Sequence, residues 1–362
     1  MLHSDARSPS PPLAVIGLFP PPVHGQSVLT EKMAAFLETQ VPVIRLSLGR
    51  QSVFSKIGMH LQAALRLLTL GGRRTVYSTP PGQKGLWLFL LIVAAARLSR
   101  RRLFIHHHSF RVISAGPLLA MRLGNALGGP NIHHIFLGER MRDGFCSLYK
   151  PPPQGFRASV VPNAFAYPPP ATAPVPRTGR LTVGHISNLT MEKGVGRVID
   201  LFERLRREGR DIRLVLAGPV SDPKLTPLIA ASQSRHKDAF DYRGPVYGEA
   251  KTRFFADIDL LLLPSSLVDE ADPLVIQEAY EAGVDVMASN RGCIAERLRR
   301  QDAFLTLDPV QDAAQIGHLL DELALHRDVV ATASWHHAGT LHRRAHRQAE
   351  ALITQLLDDA SA

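Results

Sequence analysis

Two doubly wound α/β domains are the fold class that the sequence predicts, on three observations. Short apolar runs alternate with helical patterns in both halves of the chain, the signature of parallel strands joined by crossover helices. The length of 362 residues exceeds what one hydrophobic core organises, and two domains of about 150–200 residues are the natural division. Between the halves, residues 166–177 hold five prolines, which make a stiff linker. The expected order is a flexible tail over 1–12, a Rossmann-like domain over 13–165, a linker over 166–180, a second Rossmann-like domain over 181–330 and a terminal helix over 331–362.

Composition narrows the class. An apolar content of 45% supplies full cores and argues against disorder. Cys146 and Cys293 are too few for a disulfide framework and fit a reducing cytoplasm as packed thiols. The polar, Pro-rich start has no apolar segment of the kind a signal peptide needs. The longest apolar run, Gly85–Ala96, is too short to span a bilayer. Charge is unevenly placed: residues 1–165 carry 19 of the 42 Lys/Arg but only 5 of the 32 Asp/Glu, and no acidic residue lies between Glu38 and Glu139. A basic first half and an acidic second half suggest an anionic partner for the first: a membrane surface, a phosphorylated acceptor or nucleic acid. A nucleic-acid binder would be expected to show an aromatic RNA-binding signature, zinc ligands or a helix-turn-helix pattern, and the chain has none of them.

In the first half, Leu13–Phe19 reads as the opening buried strand. After it come Gly25, which allows close backbone approach, and Ser27, a candidate cap for a helix over Val28–Leu37. This is either a plain strand-to-helix turn or an anion site at a helix N-terminus. Strands are expected at Val43–Leu48 and Thr75–Thr79. Between them Lys56–Leu70 is basic and amphipathic, suited either to packing on a sheet or to lying on an anionic membrane. A second apolar helix ends in the cluster Arg97, Arg100, Arg101 and Arg102, which also favours its dipole. Leu103–Ile105 then leads into His106, His107 and His108 at a strand's carboxyl end. These rings serve either as hydrogen-bonded structure or as ligand contacts; a metal site would need converging partners. His106 and His108 point the same way along a strand. Ile132–Leu137 is the next strand and Glu139 opens a helix.

In the second half, Leu181–Ser187 begins a new domain, followed by Asn188-Leu189-Thr190-Met191-Glu192-Lys193-Gly194 and an amphipathic helix through Leu205. Strands follow at Arg213–Ala217, before Gly218, and at Phe240–Arg243, before Gly244-Pro245-Val246. Asp257 and Asp259 form a D-x-D, but they stand at the amino end of the strand Leu260–Leu263, where a metal role is not expected. That strand ends at Pro264-Ser265. Beyond it stand Glu270 and Glu278, eight positions apart, with Pro273 suited to open a helix and Gly283 to end it. Glu270 thus falls in the loop at the strand's carboxyl end, where open α/β sheets bind ligands, and Glu278 on the helix behind it. Carboxylates so placed accept hydrogen bonds from two polyol groups of one ligand. Val284–Ser289 is a strand, and Gly292–Glu296 is expected to open a helix. Helices near Ala313–Leu325 and Leu341–Leu357 finish the chain.

The segment from Leu260 through Gly283 resembles the E-x7-E region of the retaining, GT-B-fold group 1 glycosyltransferases. The likeness extends to Ser187–Gly194, to Ala256–Ser265, to Val160–Ala164 at the end of the first domain and, more loosely, to Pro21–Gly25. It implies two Rossmann-like domains facing a cleft, with the terminal helix returning to the first domain and the acceptor bound by the basic first domain. It implies a nucleotide-sugar donor, such as a UDP- or GDP-sugar, and retention at the anomeric carbon with no metal required. Glu270 would meet the donor sugar, Glu278 the ribose and Lys193 the diphosphate. Asn188 stands where the family often carries Arg, and Ala164 where it carries Gly. His106 and His108 would reach the donor sugar, and Gly25 the phosphates or acceptor. Gly218, Gly244, Val246, Pro273, Leu274 and Val275 would line the donor. The implied acceptor is a cell-envelope glycan, polysaccharide precursor or lipid-linked saccharide, handled at the cytoplasmic face of a membrane. A nucleotide-sugar epimerase of the same fold is the alternative reading, and a basic nucleic-acid binder a more distant one.

Overall fold

The structure, a computed structural model, describes residues 11–358 apart from 22–24, 50, 51, 83 and 176. Most of the expected tail therefore lies outside the described residues. The chain forms two compact units, one of residues up to 166 together with 345 onward, the other of residues 167–344.

The first unit runs β1 (Leu13–Gly17), α1 (Gly25–Glu38), β2 (Val43–Ser47), α2 (Val53–Thr69), β3 (Thr75–Ser78), α3 (Gly85–Leu98), β4 (Arg102–His106), α4 (Arg111–Ser114), α5 (Leu119–Gly128), β5 (Ile132–Phe136), α6 (Glu139–Tyr149) and β6 (Arg157–Val160). Its parallel sheet has the order β2-β1-β3-β4-β5-β6. The chain steps from β1 outward to β2, then crosses to β3 on the other side of β1. The direction of winding therefore reverses between β1 and β3, which opens a crevice at their carboxyl ends.

The second unit runs β7 (Leu181–Ile186), α7 (Val195–Arg207), β8 (Ile212–Ala217), α8 (Leu225–Arg235), β9 (Phe240–Tyr242), α9 (Glu249–Ala256), β10 (Leu260–Leu263), α10 (Leu274–Glu281), β11 (Asp285–Ser289), β12 (Phe304–Leu305) and α11 (Pro309–Asp358). Its parallel sheet has the order β12-β11-β10-β7-β8-β9, so its reversal lies between β7 and β10. Every residue of β10 is buried, because helices cover both faces of a parallel sheet.

Several expected elements shift. Gly25 opens α1 itself, and Ser27 is buried inside the first turn instead of capping a later start. Only a short 3-10 turn forms at Ile294–Glu296, in place of a helix from Gly292. The two expected terminal helices are one element, α11, broken by the non-helical His326 (φ −135°, ψ 35°). The final turns of α11 pack with the first unit: Thr75 Oγ1 donates to the Leu356 carbonyl at 2.9 Å, and the Phe36 and His346 rings meet at 5.4 Å. The stretch expected as a linker is fastened to the second unit, since Arg177 donates to the carbonyls of Ala256 (3.0 Å), Phe255 (3.2 Å) and Gly283 (3.3 Å).

The D-x-D serves the frame. Asp259 accepts from the Thr182 amide at 2.8 Å and from Arg327 Nε at 2.7 Å, just past the kink in α11; Asp257 pairs with Arg243 at 2.7 Å. Asp259 is buried, so removing it leaves the Arg327 guanidinium and the Thr182 amide of β7 short of a partner. Asp259→Ala is expected to lower stability by about 3–5 kcal/mol in urea unfolding, the usual cost of breaking a buried pair from one side. A loss under about 1 kcal/mol would show the pair to be dispensable.

Candidate functional site

The polar residues of the second unit collect where its winding reverses. Lys193 lies in the loop after β7 and Glu270 in the loop after β10, and these neighbouring strands carry them to one place. Lys193 Nζ stands 2.8 Å from Glu270 Oε2, with Glu270 buried and Lys193 half-buried. Local chemistry fixes both loops. Thr190 Oγ1 accepts from the Lys193 amide at 3.1 Å, and the Glu192 carbonyl accepts from the Ser266 amide at 2.7 Å, which stitches one loop to the other. Gly194 has φ +84°, and a Cβ there would lie 2.3 Å from the Pro264 carbonyl oxygen, so only glycine fits. Gly292 backs the Glu270 loop in the same way, with a Cβ position 2.4 Å from the Glu270 carbonyl oxygen. Its approach, with Cys293 N donating to the Ala271 carbonyl at 2.7 Å, takes the chain out of the helix expected there.

Glu278 sits on the first turns of α10, behind Pro273 as the residue preceding the helix. Its Oε1 takes Lys251 Nζ at 2.6 Å and the Tyr167 hydroxyl at 3.1 Å. Its Oε2 is buried with no hydrogen-bond partner among the described residues. Burial, and then the Glu278 carboxylate, raise the Tyr167 phenol far above its ordinary range, so it remains a donor. Asp272 pairs with Arg297 at 2.8 Å, both buried, which anchors the loop between the two glutamates. Lys251, Tyr167 and Arg297 were not singled out in the sequence: each reaches the site from more than twenty residues away, with no motif around it.

The other expected donor residues differ in presentation. Asn188 is exposed beside the Lys193 loop. Gly218 is buried, and its amide donates to the Gly244 carbonyl at 2.7 Å, so these two positions bind each other's backbone. The Val246 side chain is buried in a core cluster, while Pro273, Leu274 and Val275 are half-buried.

In the first unit, Gly25 stands at the β1–β3 crevice with open space where a Cβ would point; Gln26 Nε2 next to it donates to the Pro80 carbonyl at 2.9 Å. Residues 22–24, which precede Gly25, lie outside the described residues. His106 is fully buried, with Nδ1 2.7 Å from the Tyr77 hydroxyl and Nε2 3.3 Å from the Val161 carbonyl. His107 pairs with His134 at 2.9 Å. His106 and His108 do share a side, their rings 4.2 Å apart, and both ring nitrogens of His108 are buried without a partner among the described residues. Burial holds His106 well below the ordinary imidazole range and His107 and His108 down to about 3. His185 in the second unit, lodged between the Leu262 carbonyl (2.8 Å) and Ser187 Oγ (2.9 Å), is lowered to about 4 by burial. No group of three or more His, Cys, Asp or Glu among the described residues is arranged to hold a metal.

Comparison with known proteins bears on this geometry. Residues 173–329 match the family model of group 1 glycosyl transferases. The matched stretch lies within the second unit. No curated protein sequence matches the chain. Among solved structures, it is similar to sucrose-phosphate synthase from Thermosynechococcus elongatus (TM-score 0.70, 15% identity, 96% of this chain and 99% of that one). It is also similar to Anabaena Alr3699/HepE in complex with UDP-glucose (0.63, 15%, 96% and 98%) and to the lipopolysaccharide outer core galactosyltransferase WaaB (0.65, 12%, 94% and 99%). The fold is GT-B, two parallel-sheet α/β domains of six strands each.

The buried neutral histidines set a pH dependence. The unfolded chain takes up their protons near the ordinary value of 6.5, while the folded chain refuses them until about 3 (His107, His108) or 4 (His185). The unfolded state binds more protons between those limits, so stability is full above about pH 6.5 and falls as pH drops through the window. The urea midpoint is expected to be lower at about pH 5 than at about pH 7.5, and His107→Phe to flatten that dependence. An equal slope in the variant would show that His107 takes no part in it.

Proposed function

We propose that the chain transfers a sugar from a nucleotide-sugar donor, with retention at the anomeric carbon, to a cell-envelope glycan, polysaccharide precursor or lipid-linked saccharide. The observation that carries this reading is the Lys193–Glu270 pair at the β7–β10 reversal, with the unpartnered Glu278 Oε2 on the adjoining helix. In this reading a donor diphosphate takes Lys193 away from Glu270. The released carboxylate then accepts hydrogen bonds from sugar hydroxyls, and Glu278 Oε2 accepts one from a ribose hydroxyl. Lys251 and Tyr167 hold Glu278 by its other oxygen, so the carboxylate is oriented before the nucleotide arrives. The acceptor oxygen bonds to the anomeric carbon on the face from which the phosphate oxygen departs, and the acceptor's proton passes to that oxygen. Lys193 stabilises the charge growing on the leaving group, so the reading needs no resident metal.

A UDP-glucose complex in the Anabaena relative supports a uridine nucleotide as donor, and the substrate named for WaaB supports an envelope acceptor. No helix among the described residues is long and apolar enough to cross a membrane. The acid-free span over 39–138 supports work at the cytoplasmic face of the membrane as a peripheral protein.

Lys193→Ala and Glu278→Ala are each expected to weaken binding of uridine or guanosine diphosphate about tenfold or more, roughly 1.4 kcal/mol, in calorimetry run well below each variant's thermal midpoint. Unchanged affinity in both variants for every nucleoside diphosphate the native protein binds would remove the site assignment. Conversion of a sugar nucleotide with no acceptor present would favour the epimerase instead.

A further inference from the structure

The helix α2 is packed with its large apolar residues outward. Its inner face buries His60, Ala63 and Leu67. Its outer face shows Phe54, Ile57, Leu61, Leu65 and Leu68, spaced three and four apart, with Phe54 87% and Leu65 61% exposed. This orientation is built in. Ser52 Oγ caps the helix by accepting from the Ser55 amide at 3.1 Å. At the other end the buried Arg101 donates to the Leu67 carbonyl at 3.1 Å and to the carbonyls of Leu70 and Arg73. The helix cannot turn its stripe inward without stripping that arginine of its acceptors.

The stripe does not stand alone. α3 packs between α2 and α5 in one layer. From α3 the layer exposes Trp87, and from α5 a second stripe of Leu119, Leu123 and Leu127. Scattered exposed leucines are ordinary on a protein surface, but here two stripes flank Trp87 on one packed layer of helices. The charges on these helices have one sign. Lys56, Arg66, Arg97 and Arg122 are all exposed within or beside the stripes, inside the span that holds no Asp or Glu.

We propose that the outer face of α2, α3 and α5 docks the protein on an anionic lipid bilayer. The apolar stripes enter the interface between headgroups and acyl chains, Trp87 sits at headgroup depth, and the lysine and arginines meet lipid phosphates. A second copy of the chain would bring the same cations together without an acidic residue to meet them, whereas an anionic membrane answers both the apolar and the basic character. The inference deepens the peripheral location given above and does not depend on which sugar is transferred.

The test is flotation of the full chain with vesicles of phosphatidylcholine alone and with about 30 mol% phosphatidylglycerol added. The native protein is expected to float with the anionic vesicles and to be released by high salt. Leu61→Glu with Leu65→Glu is expected to weaken that partition by about tenfold or more, and Lys56→Glu with Arg66→Glu to weaken it on anionic vesicles. All these side chains are exposed, so thermal midpoints should stay within a few degrees of native, and uridine diphosphate affinity should not change. Absence of flotation, or flotation of both double variants equal to that of the native protein, would overturn the proposal. So would a native dimer, seen by light scattering, that Leu61→Glu with Leu65→Glu dissolves while vesicles bind neither protein. Flotation that persists in a protein without nucleotide affinity would overturn the proposed function and leave the docking face standing.

Discussion

The reversal of winding beside β7 is the constraint on which the second unit's chemistry depends. A parallel sheet covered on both faces buries its strands completely, so polar side chains gather where the strands end. At the reversal the loops after β7 and β10 leave in opposite directions and a crevice remains between them. Lys193 and Glu270 meet there, held by backbone approaches at Gly194 and Gly292 that admit no side chain. The ion pair is therefore set by the backbone rather than by two flexible side chains finding each other. Any ligand that takes one partner leaves the other, on a buried and pre-aimed loop, in need of a replacement.

The first unit repeats the architecture with a different electrostatic character. After β4 it places neutral imidazoles among aromatic rings, with the His107 ring 5.2 Å from those of His134 and Phe136. Burial keeps them neutral, so they offer hydrogen bonds without charge. Arg101 apart, the positive charge on and around α2 and α5 lies at the surface, interleaved with their apolar side chains. The same topology thus places a lysine–glutamate pair inside one crevice and buried, neutral imidazoles near the other.

Much of the site was legible in the chain before folding. Pro264, Pro273 and Gly283 bracket β10 and α10, and the eight-residue spacing sets Glu270 and Glu278 in successive elements. Lys193 stands out only through the resemblance of Ser187–Gly194 to the group 1 glycosyltransferases. Lys251 and Tyr167 carried no such mark: one lies on an ordinary polar helix, the other in a proline-rich stretch read as a linker. Their meeting with Glu278 depends on how α9 and residues 167–180 lie against α10, which no local pattern encodes. The expected helix after Gly292 failed for a related reason, since the Cys293 amide is taken up by the Ala271 carbonyl and Gly292 packs against the Glu270 loop.

Period and punctuation in the sequence were enough to determine two α/β domains and the alternation of strands and helices within them. These follow from local rules: strands bury every residue, helices repeat at 3.6, and glycine and proline mark the ends. Only the tertiary structure decided that Glu270 is already occupied by Lys193 and that one oxygen of Glu278 is held while the other is left over. It also decided that Asp259 braces the kinked α11, and that α2 turns its apolar stripe to the solvent. An amphipathic pattern states that a helix has two faces; which one meets the sheet depends on what else can satisfy the groups beneath it, here the buried Arg101 and His60.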